Sequence, residues 1–145
     1  MDRTICEDRI DYYFKERTKE VGEVLKVLRK YHHKLIGKGE RGELIFSLED
    51  VYYFESVDKK TFACLAHEVL KIEVNLTELE HAYDEYGFIR VNKSMVLNIY
   101  KINSLKSELN MKVIAILNNG EKVQINRSYK IKFNLFLKTL NGKGV

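Results

Sequence analysis

The sequence predicts a mostly-β, α+β fold: antiparallel sheets with short helices, preceded by an N-terminal helix. Three observations carry this expectation. Apolar residues recur at helical spacing up to Leu35, and after a glycine-rich break the period changes to two. Nine tyrosines and seven phenylalanines stand without a single Trp or Pro, a composition that suits pleated packing. The later strand-like runs never alternate with helical runs long enough for a doubly wound parallel sheet.

Each element has its own signal. Ile10, Tyr13, Phe14, Val21, Val24, Leu25, Leu28 and Leu35 follow steps of three and four, interrupted at Arg17-Thr18. The firmest helix therefore runs from Thr18 to His33, while residues 3–14 fit a strand or a further turn of helix. Gly37, Gly39 and Gly42 then favour a turn or linker, which puts a boundary between a helical segment, 1–36, and a domain, 37–145. Alternation marks strands at 43–47, 51–56, 61–66 and 69–73, the last two joined through His67-Glu68. Asn75 with Glu78 three residues on is a capping-box pattern opening a short helix over 75–83. Shorter strands follow at 88–91, 95–98 and 102–105, then a hairpin, 112–117 with 122–125, around Asn119-Gly120. Helical spacing returns from Tyr129 to Leu140, with Phe133, Phe136, Leu137 and Leu140 on one stripe. The closing residues 141–145 are expected to fray.

The formal net charge of +4 hides a strong asymmetry. Residues 1–40 hold ten Lys/Arg against eight Asp/Glu, net +2. Residues 41–88 hold four against eleven, net −7, and residues 89–145 hold eleven against two, net +9. So basic a C-terminal third is the footprint of a polyanion-binding face; a solvated surface or an anionic membrane contact has the same charge.

Catalytic signatures are missing. There is no glycine-rich phosphate loop, no GxSxG and no HExxH. His32 and His33 point about 100° apart on a helix, and His67 and His81 add no zinc-ligand spacing. Cys64 and His67 fall on opposite faces of an extended strand, and Cys6 and Cys64 read as two free thiols. No enzyme, metal or cofactor is expected. No window approaches 18 consecutive apolar residues, and Met1-Asp2-Arg3-Thr4 does not open a secretory signal, so a cytoplasmic protein is expected.

Residues 34–138 carry a resemblance. The run LEDVYYFES (Leu48–Ser56) resembles the opening of LytTR (LytR/AlgR-type) DNA-binding domains. FIRVNKSMVLN (Phe88–Asn98), followed by Lys101-Ile102, is similar to that family's central motif, and NGEKVQINRSY (Asn119–Tyr129) to its closing hairpin and arginine. The resemblance implies an elongated domain of antiparallel sheets whose loops enter successive major grooves. It also implies base contacts at Thr61, Lys93 and Arg127, with threonine standing where some members carry histidine. A short N-terminal segment in place of a receiver domain resembles the stand-alone members of the family.

The chemistry of the residues agrees with this. Arg127 carries a planar fork suited to a guanine edge, and Lys93 reaches either a guanine acceptor or a phosphate. Lys59, Lys60, Arg90, Ser94, Ser128 and Lys130 are candidates for phosphate. The expected function is sequence-specific duplex DNA binding in transcription control, on paired direct repeats, with homodimerisation on DNA or through the N-terminal helix. Two alternatives stay open: a protein-interaction module worked by that helix, and a single-strand or RNA binder using Tyr52, Tyr53 or Phe62 as stacking platforms.

Overall fold

The computed structural model describes residues 33–109 and 112–140. The chain divides into two compact units, residues 1–35 with 47–49, and residues 36–46 with 50–145. The first unit's described residues are few: Leu48 N donates to His33 O at 2.9 Å, and Lys34 Nζ to Ser47 Oγ at 2.9 Å. The expected helix at 18–33 lies almost wholly outside the described residues.

Ten strands are described: β1 (Lys34–Gly39), β2 (Gly42–Ser47), β3 (Tyr53–Val57), β4 (Lys60–Cys64), β5 (Val69–Ile72), β6 (Phe88–Asn92), β7 (Met95–Asn98), β8 (Ile102–Ser107), β9 (Val113–Leu117) and β10 (Lys122–Ile125). Two helices join them, α1 (Leu76–Tyr83) and α2 (Lys130–Leu140). Seven strands form one sheet in the order β2-β1-β5-β4-β3-β7-β6, and three form a second in the order β10-β9-β8. The pairings from β1–β5 through to β6–β7, and both in the small sheet, are antiparallel.

The glycine-rich run, expected as a turn or linker, is a tight turn between two strands. Gly37 and Gly39 lie within β1, and only Glu40-Arg41 make the turn into β2. The reason is close approach. A Cβ on Gly37 would stand 2.8 Å from Leu70 Cβ, and one on Gly39 2.7 Å from Leu70 Cδ2. Glycine here lets β1 lie against Leu70 of the neighbouring strand, which no larger residue allows without a shift.

Strand β6 is buried on both faces, and this locates the core. Ile89 and Val91 point into a cluster with Leu97, Ala115, Leu117, Val123, Ile125 and Phe133. Phe136 and Leu137 of α2 pack against that cluster, whereas Leu140 is 46% exposed and leaves the expected stripe. On the other face Phe88 meets Phe54 at a ring separation of 5.4 Å and Tyr83 of α1 at 6.2 Å. Alternate residues of one short strand thus hold the small sheet and α1 on opposite sides. Full burial of a Phe such as Phe133 contributes about 1.5–3 kcal/mol.

The local signals read from sequence act through their bonds. Asn75 Oδ1 accepts from Glu78 N at 2.8 Å, and Glu78 Oε1 from Asn75 N at 3.2 Å, closing the capping box of α1. At Asn119-Gly120 only the glycine has positive φ, 91°, and Gly120 N donates to Leu117 O at 2.9 Å. The hairpin therefore turns on one left-handed residue rather than two. The true two-residue turn lies between β3 and β4, where Asp58 and Lys59 have φ of 52° and 67° and Val57 faces Lys60.

Candidate nucleic-acid interface

Three connections meet at one end of the large sheet. Antiparallel register puts the β3–β4 turn and the β6–β7 turn side by side, and Ser56 N donates to Ser94 O at 2.9 Å across them. The segment after β10 joins from the second sheet, where Asn126 N donates to Val91 O at 2.9 Å. Residues far apart in sequence are fixed together by main-chain bonds, whatever side chains they carry. This end presents Lys59 and Lys60, Lys93, and Arg127 and Ser128, all exposed. Asp58 is exposed on the first of these turns and puts one acid among them.

The β6–β7 turn is the most tightly determined of the three. Asn92 Oδ1 accepts from Ser94 N at 2.9 Å and from Ser94 Oγ at 3.1 Å, which holds a compact turn with Lys93 at its tip. Beneath it lies Arg90, next to an irregularity in register between Arg90 and Asn92. Its Nε donates to Asn92 O at 3.0 Å, Nη2 to Lys93 O at 2.7 Å, and Nη1 to Glu80 Oε1 at 3.1 Å.

The closing segment is simpler. After Ile125 the chain makes a single 3-10 turn, Arg127–Tyr129, in which Tyr129 N returns to Asn126 O at 2.9 Å. That turn leads directly into α2 and leaves the Arg127 side chain outward. A shallow groove between the two loops is lined by Asn92, Lys93, Ser94, Gln124, Asn126, Ser128 and Tyr129. Among the described residues neither Lys93 nor Arg127 forms an ion pair.

Several of the expected contact residues are buried or bonded within the fold. Thr61 is buried, 7% exposed, between Ser56 and Ile72 in the middle of the sheet, so its hydroxyl does not face a groove. Arg90 is not a free phosphate ligand, because three of its five N–H groups are engaged within the fold. The hydroxyl proton of Ser94 is likewise given to Asn92. Lys130 is half-buried, while Lys59, Lys60 and Ser128 stay accessible. Of the aromatic platforms, Tyr52 has Lys101 Nζ 5.0 Å above its ring and Tyr53 Oη donates to Glu121 Oε2 at 3.1 Å, while Phe62 is half-buried.

Tyr53 and Cys64 face each other across β3 and β4. Burial, reinforced by Cys64 and Glu121, raises the Tyr53 phenol well above its usual value. Burial also pushes the free Cys64 thiol up to about 11, against the pull of its hydrogen bond to Tyr53. A thiol in that state is a packing group rather than a nucleophile. Cys6 lies outside the described residues.

The family model of the LytTr DNA-binding domain matches residues 43–138. The chain belongs to the LytTR family.

Among curated LytTR relatives, the sensory transduction protein LytT of Bacillus cereus is 29% identical over 97 residues, 67% of this chain and 39% of that protein. LytT of Enterococcus faecalis is 28% identical over 96 residues, 66% of this chain and 40% of that protein. An HTH-type transcriptional regulator of Staphylococcus aureus is 29% identical over 97 residues, 67% and 65% of the two chains. The chain thus spans about two-fifths of the length of the LytT proteins. A solved LytTr DNA-binding domain from Bacillus cereus superposes with a TM-score of 0.68 at 25% identity, covering 72% of this chain and 95% of that one. The strand-rich antiparallel architecture is that of the LytTR fold.

Proposed function

We propose that this chain is a sequence-specific duplex DNA-binding regulator of transcription that reads base edges in the major groove through Lys93 and Arg127. Lys59, Lys60, Ser128 and Lys130 hold phosphates on either side. Thr61, Arg90 and Ser94 are left out of direct contact, for the reasons of burial and bonding given above. The observation that carries the reading is the convergence of three basic connections at one sheet end, with Lys93 and Arg127 outward and free of acidic partners among the described residues.

The division of labour follows from chemistry. A guanidinium fork matches the two acceptors on a guanine edge, and one such contact discriminates by about 1–3 kcal/mol. Ammonium groups on phosphate contribute affinity without sequence preference, at a salt slope near one unit per contact. The relatives named as sensory transduction proteins and transcriptional regulators support the regulatory part. Binding to paired direct repeats, with two copies meeting on DNA, belongs to the same proposal, as does a cytoplasmic location.

The test is selection of sites from a random duplex library at near-physiological salt, with wild type and Arg127→Ala side by side. The expected result is a repeated motif for wild type that blurs at defined positions in the variant. Binding with no enrichment by wild type would sink the proposal.

A further inference from the structure

Glu80, on α1, stands where two of the reading connections meet. Its Oε1 accepts from Arg90 Nη1 at 3.1 Å and its Oε2 from Lys132 Nζ at 3.4 Å. Arg90 in turn holds both carbonyls of the turn that carries Lys93, those of Asn92 and Lys93 itself. Lys132 belongs to the first turn of α2, a few residues beyond Arg127. One carboxylate therefore ties the Lys93 turn and the helix that follows Arg127 to a single helix behind them.

This junction is built to hold direction. The side chains of Arg90 and Glu80 are only 18% and 21% exposed, so their pairing is weakly screened. A planar guanidinium making three bonds to three different groups cannot rotate without breaking at least one of them. A lysine at position 90 would keep the charge, but a single ammonium cannot span two carbonyls and a carboxylate in the same way.

We infer that Arg90 and Glu80 are positioning residues that orient the Lys93 turn relative to the Arg127 segment, and so set which bases Lys93 reaches. The inference deepens the proposed function and rests on it. Neither residue touches DNA; both act through the turn.

The same selection separates the two ideas, run with wild type, Lys93→Ala, Arg90→Lys and Glu80→Ala, with thermal unfolding recorded for each. Lys93→Ala defines the positions of the motif that depend on Lys93. Arg90→Lys and Glu80→Ala are expected to lose about tenfold in preference at those same positions, the size of one base contact. Non-specific affinity and its salt slope stay unchanged for Arg90→Lys. Should Arg90→Lys fail to fold, Glu80→Ala decides, since alanine favours the helix it sits in. A motif that Lys93→Ala blurs while Arg90→Lys and Glu80→Ala leave it sharp overturns the inference alone. Arg90→Lys keeping full base preference while Arg90→Ala lowers the salt slope by about one unit would return Arg90 to a phosphate role. A wild type that enriches nothing overturns the proposed function and this inference with it.

Discussion

The two ends of the large sheet carry similar residues in opposite circumstances. At one end Lys59, Lys93 and Arg127 project from turns fixed by main-chain bonds and keep their charges outward. At the other, the polar groups are turned on the protein itself. Asn98 Nδ2 donates to Val51 O at 2.8 Å, Ile99 N to Gly87 O at 2.8 Å, and Arg41 pairs with Glu68 at 2.9 Å. Lys101 lies over Tyr52, and Gly87, at φ 93°, admits the ring of Tyr100. The lesson is that a basic residue's type says little until its bonds are counted. Arg90 and Arg127 look alike in sequence, yet only Arg127 has its fork outward.

The largest expected effect breaks the closed end. A Cβ at Gly87 would meet Tyr100 Cε2 at 2.5 Å on a backbone that L-residues rarely adopt, so Gly87→Ala is expected to cost about 2–4 kcal/mol in thermal or denaturant unfolding. DNA sequence preference of the folded fraction should persist. Next comes the open end: Arg127→Ala should lose about 1–3 kcal/mol of discrimination while stability moves by less than about 0.5 kcal/mol. A large loss of stability in that variant would mean that Arg127 has structural partners after all.

A smaller change sharpens the contrast within the open end. Lys59→Gly relieves a left-handed lysine and should raise stability by about 0.5–1 kcal/mol, while weakening all duplex DNA alike and lowering the salt slope by about one unit. The smallest effect concerns Cys64, behind both ends. Its folded thiol titrates near 11 against a usual 9.0, so the folded state binds the extra proton between those values. Stability contributed there is complete below pH 9 and falls as pH rises towards 11. Alkylation of the native protein at pH 8 should be far slower than of the unfolded chain; equal rates would contradict the burial.

Much of the fold was legible because its signals are local. The capping box at Asn75 and Glu78, the Asn119-Gly120 hairpin and the alternation through Phe88–Asn98 each depend on neighbours within a few residues. What was not legible depends on distant partners. Gly37 and Gly39 read as part of a turn or linker because Leu70, the residue they accommodate, is more than thirty positions away in sequence. Thr61 read as the first residue of a strand, and its burial comes only from the neighbouring strands β3 and β5. Of the expected contact residues, Lys93 and Arg127 are exposed on turns at the same end of the large sheet. Glu80 left no trace in sequence, since Arg90 and Lys132 reach it only through the fold. A weak clue to Arg90 existed: an arginine two residues before a tight Asn-led turn is within reach of the turn's carbonyls.

The bond from Asn126 N to Val91 O has a consequence for change over time. Because it links two peptide groups, the spacing between the Lys93 turn and the Arg127 segment is indifferent to what side chains stand at either tip. If Lys93 and Arg127 read bases as proposed, exchanging residue 93 or 127 would alter the preferred operator without disturbing the frame that presents it. Regulators on this scaffold can therefore diverge in target by single substitutions, with stability left as a separate matter.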